Sequence, residues 1–499
     1  MEQPHIRKPS VRAQGYAAAL LQAHSNKIPQ FHAAFTTGIT KRQVHRDQLP
    51  PPPVTWRALT KHPYAEGFRQ AAKLEYKALK SKNTFRIVKQ SSQSKPLPLK
   101  WHFTYKFDQE GYLTKYKARI CVRGDLQPIS LQETYAATLA FRVFRALMAL
   151  TAVFGLIAEQ LDAVSAFLNA KLDEEVHVRF PEGFEEDPDS CLQLLRALYG
   201  LRRSPLLWLQ ELTAALTDLG LRNIPGEPCL FTNDDGVILF FYVDDIVLLY
   251  HPMKRDYAQS LKQNLQEYFE IRDLGDLQWF LGVRVLCSIK DGKLWLCQDS
   301  YLEKIAASFN LQQTKAVHMP MPIDDLPPNE HQATAQEIHA YQRRVGSSLF
   351  AAVVTRPDVA RAASKLSEQL RNPSPDHLAA ANQCISYLYG TRHLAIEYAA
   401  SSNHQEVIAT TVPMEIFENS ADASFANNPD HRSREGYVFK LYGGPIDWVS
   451  RKQSTVTTST TEAELLAMLH AGKQAIWWNN LFKKLHFNTG HDLSIKNDN

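Results

Sequence analysis

Two adjacent carboxylates, Asp244 and Asp245, stand inside the run "VILFFYVDDIVLLY" at residues 237–250, where almost every other side chain is apolar. The flanks, 237–241 and 246–250, are short and rich in β-branched and aromatic residues, which predicts two buried strands with the Asp pair at the turn between them. A solvated turn is the plain alternative, because Asp bonds readily to nearby backbone. Against it, Asp-Asp lacks the glycine that two-residue hairpins prefer, and the flanks are apolar enough to lie beneath other structure. Two carboxylates so close in such surroundings repel, raising one pKa unless a cation neutralises them. A divalent cation is the economical answer, and hard oxygen ligands favour magnesium or manganese.

At 499 residues the chain is too long for one core, and its 44% hydrophobic and 22% charged residues are ordinary for a folded protein. Six cysteines (Cys121, Cys191, Cys229, Cys287, Cys297 and Cys384) include no CxxC pair, so neither a zinc site nor a disulfide framework is expected, and a reducing compartment fits. With no secretory leader and no apolar window of about 18 residues, neither secretion nor a membrane partner is expected. Net charge is only +4, but residues 72–125 carry thirteen Lys/Arg against four acids. Interleaved with Trp101, Phe103, Tyr105, Tyr112 and Tyr116, that segment is a candidate polyanion surface, the alternative being a solvated basic face.

Along the chain, residues 1 to about 60, with "LPPPPV" at 49–54, read as a poorly ordered lead and Pro-rich linker. A helix follows, with Phe68, Ala72, Leu74 or Glu75, and Leu79 at helical spacing, then a strand hairpin turning at Gln109, Glu110 and Gly111. Residues 141–156 predict a core helix, and "SPLLWLQELTAALTDLG" predicts another, with Ser204 as N-cap, Pro205 at the first helical position and an end at Gly220. The proline-rich stretch at 319–328 marks a boundary before a helical region, and from about residue 407 a new module of strands and one helix is expected.

A metal site needs a carboxylate from elsewhere in the chain, and Asp162 in "EQLDAVSAFLNA", after an apolar strand-like stretch, is the best partner; Phe167 follows five positions later. The strings "KYKARICVRGDLQ", "EQLDAVSAFLNAKLDEEVHVRFPEGF", "ALYGLRRSPLLW", "FYVDDIVLLY", "DLGDLQWFLGVRV", "TRPDVARAASKLS" and "GGPIDWVSRKQSTVTTSTTEAELLAM" come in an order that resembles the reverse transcriptase of copia-type long-terminal-repeat retrotransposons, over roughly residues 65–499.

That resemblance implies an α+β fold: a right-hand polymerase of fingers, palm and thumb over 61–320, a helical connection over 321–406 and an RNase H-like α/β module over 407–499. It implies an RNA-directed DNA polymerase with Asp162, Asp244 and Asp245 as catalytic carboxylates and Mg2+ (or Mn2+) as cofactor. The resemblance further implies Asp162 and Asp244 as the chief metal ligands, with none from the neighbouring Ala163. Lys117 and Arg119 match residues that contact the triphosphate, Phe167 the ring that excludes a 2′-hydroxyl, and Gly200 and Tyr242 further nucleotide-site positions. Arg203 stands where many relatives carry Gln. Asp422, Glu464 and Asp498 match the RNase H acids, while Ser424 replaces another family Asp. Relatives continue beyond the third acid, so a truncated module with weak hybrid cleavage is expected. The implied partners are an RNA template, a DNA or tRNA primer, dNTPs and virus-like-particle proteins, in the cytoplasm or the nucleus. The rival reading is an inactive remnant or nucleic-acid scaffold.

Overall fold

The computed structural model describes residues 44–90, 95–108, 111–128, 133–288, 291–313, 317–322, 326–399, 416–428, 430–489 and 494–497. Its architecture is α+β, with described strands gathered in sheets of three, six, four, three and two. The six-stranded sheet runs in the order Ile271–Asp276, Ile157–Ala163, Asp245–Tyr250, Ile238–Tyr242, Glu227–Thr232, Arg222–Ile224, every neighbour antiparallel. Its central strands are apolar on both faces because helices cover them: Phe144 and Leu147, Leu212, and Leu261 come from helices Phe141–Phe154, Ser204–Asp218 and Arg255–Tyr268, and all join one core with Ile246, Val247 and Leu248. Gly155, at φ +60°, closes the first of these helices in the left-handed conformation that glycine tolerates.

A second core lies under the basic hairpin, where strands Leu99–Phe107 and Leu113–Val122 pair and helix Ala65–Ser81 packs Phe68, Ala72, Tyr76 and Leu79 onto Trp101, Phe103 and Ile120. Leu74 is 63% exposed, so Glu75 and not Leu74 takes the inner side. Residues 44–60 were expected as lead and linker, yet Trp56 stacks on Trp101 at 5.6 Å and Leu59 is fully buried. An indole with a ready aromatic partner outweighs the extended bias of the prolines. Residues 1–43, and Gln109 and Glu110 of the expected turn, lie outside the described residues.

A third core is helical, formed by Asp299–Ser308, Ala335–Val354, Ala360–Ser367 and Pro375–Gly390. The last module has the antiparallel strands Phe417–Ser424, Arg434–Leu441 and Gly444–Lys452, with helix Thr460–Lys484 packed on them. Arg145, 3% exposed, ties three regions together: Nε donates to the Ile446 carbonyl at 2.7 Å, and Nη1 to those of Val353 and Val354 at 2.7 and 2.8 Å. Its guanidinium lies 3.9 Å from the centre of the Trp448 ring.

Candidate active site

Strand register gathers the first acidic set. Asp245 pairs with Tyr242 on one side and Asp162 on the other, and Asp162 pairs in turn with Arg272. Residues directly opposite in antiparallel strands share a face, so Tyr242, Asp245, Asp162 and Arg272 form a row across the sheet. Arg272 was not anticipated from the sequence, because only the pairing of a distant strand brings it there. Asp244 stands at the turn itself, between the two strands.

The turn is a tight one after all. Val243 adopts φ +58°, a conformation β-branched residues rarely take and one that costs roughly 1–3 kcal/mol. Two hydrogen bonds hold it: Trp208 Nε1 donates to the Val243 carbonyl at 2.7 Å, and the Ala163 amide to the Asp244 carbonyl at 2.9 Å. The glycine preference of such turns is overridden by tertiary contacts on both sides. Trp208 sits on helix Ser204–Asp218, whose N-cap is Arg203 and not Ser204. The Ser204 hydroxyl donates instead to the Leu198 carbonyl at 2.7 Å, and the helix ends at Asp218, two residues before Gly220.

Burial, then repulsion from Asp244, push the Asp245 carboxyl above the ordinary carboxylate range, against a hydrogen bond from Gln160 Nε2 at 3.0 Å. Asp162 adds to the repulsion. Among the described residues no group of three or more His, Cys, Asp or Glu stands close enough to hold a metal ion by itself. The donor set still suits magnesium, which binds through one or two carboxylates and takes further oxygens from water and substrate phosphates. Gln160 already engages one oxygen of Asp245, Oδ1.

The expected nucleotide residues converge on the same place. Ser165, at φ +55°, turns the chain into the short 3-10 helix Ala166–Asn169, which carries Phe167. The Phe167 ring meets Tyr199 edge-on at 4.8 Å, and Arg119 lies over the other partner of this stack, 4.7 Å from the Tyr199 ring centre. Tyr199 is fixed by its carbonyl, which accepts from the Val122 amide at 2.7 Å. Gly200, at φ +94°, allows that approach, since a Cβ there would lie 2.1 Å from the Val122 carbonyl oxygen. Burial lowers the Lys117 pKa, reinforced by Arg119 and Lys106 and opposed by Glu75 and Asp162, so Lys117 lies within the field of the first carboxylate. Arg203 is paired with Asp173 at 2.6 Å. Beside the hairpin opens a cavity of ≈ 380 Å³, lined by Tyr135, Ala137, Pro205, Trp208, Phe241 and Val243 among others.

Of the second acidic set, Asp422 lies exposed on strand Phe417–Ser424 and Glu464 is 7% exposed on helix Thr460–Lys484. Asn497 joins their surroundings, donating to Glu464 Oε2 at 3.0 Å and to the Ala421 carbonyl at 3.2 Å, while Lys496 bridges Ser420 in parallel. Asp498 lies outside the described residues.

Residues 82–323 match the family model described as reverse transcriptase (RNA-dependent DNA polymerase). The chain is 31% identical over 317 residues to a transposon Ty5-1 protein of Saccharomyces cerevisiae, covering 61% of this chain and 97% of that protein. It is 30% identical over 448 residues to the Pol polyprotein from transposon TNT 1-94 of Nicotiana tabacum, covering 87% of this chain but 33% of the polyprotein. It therefore spans about a third of that relative's length. Among solved structures, the foamy viral protease-reverse transcriptase in complex with dsDNA aligns over 94% of this chain and 84% of its own, at 16% identity and a TM-score of 0.43. From the family match and the near-complete coverage of the yeast relative, the chain belongs to the reverse transcriptase family of copia-type retrotransposons.

Proposed function

We propose that this chain is an RNA-directed DNA polymerase that extends a primer along an RNA template, with Asp162 and Asp244 as the metal-holding carboxylates. The observation that carries the reading is the strand register that sets Asp245 opposite Asp162, with Asp244 at the tip of a turn pinned by Trp208 and Ala163. Magnesium held there would lower the pKa of the primer 3′-hydroxyl and neutralise the phosphates of the incoming nucleotide.

The chain's own residues do the rest. Lys117 and Arg119 bind the triphosphate, the guanidinium offering paired donors and the ammonium a point charge. Phe167, braced by Tyr199, forms the wall against which a 2′-hydroxyl would collide. Gln160 holds Asp245 so that the carboxylate row keeps its spacing. The cavity by the hairpin, with Tyr135 73% exposed at its edge, accommodates a templating base by stacking. The basic hairpin tracks phosphates of the primer-template.

The same reading takes 61–320 as fingers, palm and thumb, 321–406 as connection, and 407–499 as a partial RNase H-like module with Asp422, Glu464 and Asp498 as its acids and weak hybrid cleavage. A DNA or tRNA primer, dNTPs and virus-like-particle proteins are its partners, in the cytoplasm. Primer extension on an RNA template with magnesium tests it: template-dependent product that stops on chelation is expected, and its absence across primers and metals would overturn the reading.

A further inference from the structure

Strand Ser190–Arg196 leads to helix Ser204–Asp218 through a short connection in which Ala197, Leu198 and Leu201 are buried, while Tyr199 among them is only half-buried. Its ring meets the two groups that the polymerase reading gives to the substrate: Phe167 edge-on at 4.8 Å, and the Arg119 guanidinium 4.7 Å from the ring centre. The Val122 amide bonds the Tyr199 carbonyl at 2.7 Å, so the backbone under the ring is fixed as well. The hydroxyl takes no part in this packing. Among the described residues none hydrogen-bonds it, and it is not sealed from solvent. Burial raises the Tyr199 pKa, opposed by Arg119 and assisted by Asp244, Glu75 and Asp162, so the phenol keeps its proton at neutral pH and has a donor to give. In a nucleotide, C3′ lies between C2′ and the C5′ that carries the phosphates. With phosphates on Arg119 and C2′ against Phe167, the side chain that joins those two groups faces the 3′ side of the sugar.

We propose that the Tyr199 hydroxyl hydrogen-bonds the 3′-hydroxyl of the incoming nucleotide, making Tyr199 a specificity residue that favours substrates from which the chain can be extended again. The proposal rests on the polymerase reading, which supplies the phosphate role of Arg119 and the 2′ role of Phe167, and adds a contact to a different atom of the sugar. A protein hydroxyl paired with a substrate hydroxyl discriminates against the analogue lacking it, because the protein's own polar group is then left unpaired.

Tyr199→Phe keeps the ring against Phe167 and Arg119 and removes only the hydroxyl. Binding is read first without turnover: the full chain on an RNA template annealed to a DNA primer that lacks its terminal 3′-hydroxyl is titrated calorimetrically, in magnesium, with the complementary dNTP or its 2′,3′-dideoxy analogue. The parental chain is expected to bind the dNTP about three- to tenfold more tightly than the analogue, the scale of one hydrogen bond, and Tyr199→Phe to bind both alike. In extension of an unblocked primer, the substitution is expected to lower kcat/KM for the dNTP by a similar factor and to leave the dideoxynucleotide value nearly unchanged. Discrimination against ribonucleotides is expected to stay parental, because Phe167 is untouched. No preference in the parental chain, a preference that survives Tyr199→Phe, or an equal loss with both nucleotides would overturn the proposal; the first of these varies only the substrate and does not depend on the variant's folding. A parental chain that fails to extend primers yet shows a binding preference that Tyr199→Phe abolishes would defeat the polymerase reading and leave the 3′-hydroxyl contact standing.

Discussion

Replacing Arg145 by methionine removes the one side chain that hydrogen-bonds at once to the Val353, Val354 and Ile446 carbonyls. Hydrogen bonds to a charged donor contribute roughly 1.5–3 kcal/mol each, so three amount to about 5–9 kcal/mol gross. Stacking over Trp448 adds roughly 2 kcal/mol for a desolvated cation–π pair. Against this stands the cost of burying a guanidinium, several kcal/mol after relaxation, which also pushes the Arg145 pKa down to about 10. The balance for breaking such a buried network is about 3–5 kcal/mol, because methionine fills much of the volume but leaves three carbonyls without their donor. Urea unfolding of both proteins, followed by tryptophan fluorescence and far-ultraviolet circular dichroism, measures it. Since the arginine sits on helix Phe141–Phe154 and its acceptors lie in the helical region and the last sheet, the variant is also expected to separate the two probes' transitions. A loss below about 1 kcal/mol with coincident transitions would refute the clamp.

Phe167→Ala is expected to leave deoxynucleotide incorporation measurable while relaxing discrimination against ribonucleotides by about tenfold or more, read as the ratio of kcat/KM values; an unchanged ratio would return Phe167 to a purely packing role. Asp245→Asn is expected to stabilise the metal-free protein at neutral pH by up to about 1 kcal/mol. The sign follows from its raised folded pKa: the ionised carboxylate is disfavoured in the folded state, so the penalty is present above that pKa and vanishes as pH falls through it. Thermal melts at neutral and acidic pH check this, and a gain that grows with acidity would contradict it.

Local pattern carried the strands around Asp244 and Asp245, because period and composition are properties of the run itself. It also carried helix Phe141–Phe154 and the convergence of Asp162 with the Asp pair, the latter through the order of motifs rather than through spacing. What it could not carry was set by distant partners. Val243 takes a positive φ because Trp208 and Ala163, far away in sequence, bond its turn. Ser204 bonds to Leu198 instead of capping its helix, and Trp56 leaves a proline-rich stretch to stack on Trp101. Arg272 reaches the carboxylate row only through strand pairing. Glu75 and Leu74 are equally plausible inner residues by helical spacing, and only the packing of the helix on the hairpin leaves Leu74 63% exposed and Glu75 half-buried.

Single-turnover incorporation of one dNTP onto a primer annealed to RNA, with magnesium, by the parental chain and by Asp244→Asn tests the central claim most directly. The account predicts that the substitution lowers the incorporation rate by at least about 100-fold, the scale on which catalytic geometry is lost, while primer-template affinity changes less than about threefold because the basic hairpin is untouched. Incorporation by Asp244→Asn near the parental rate would contradict it.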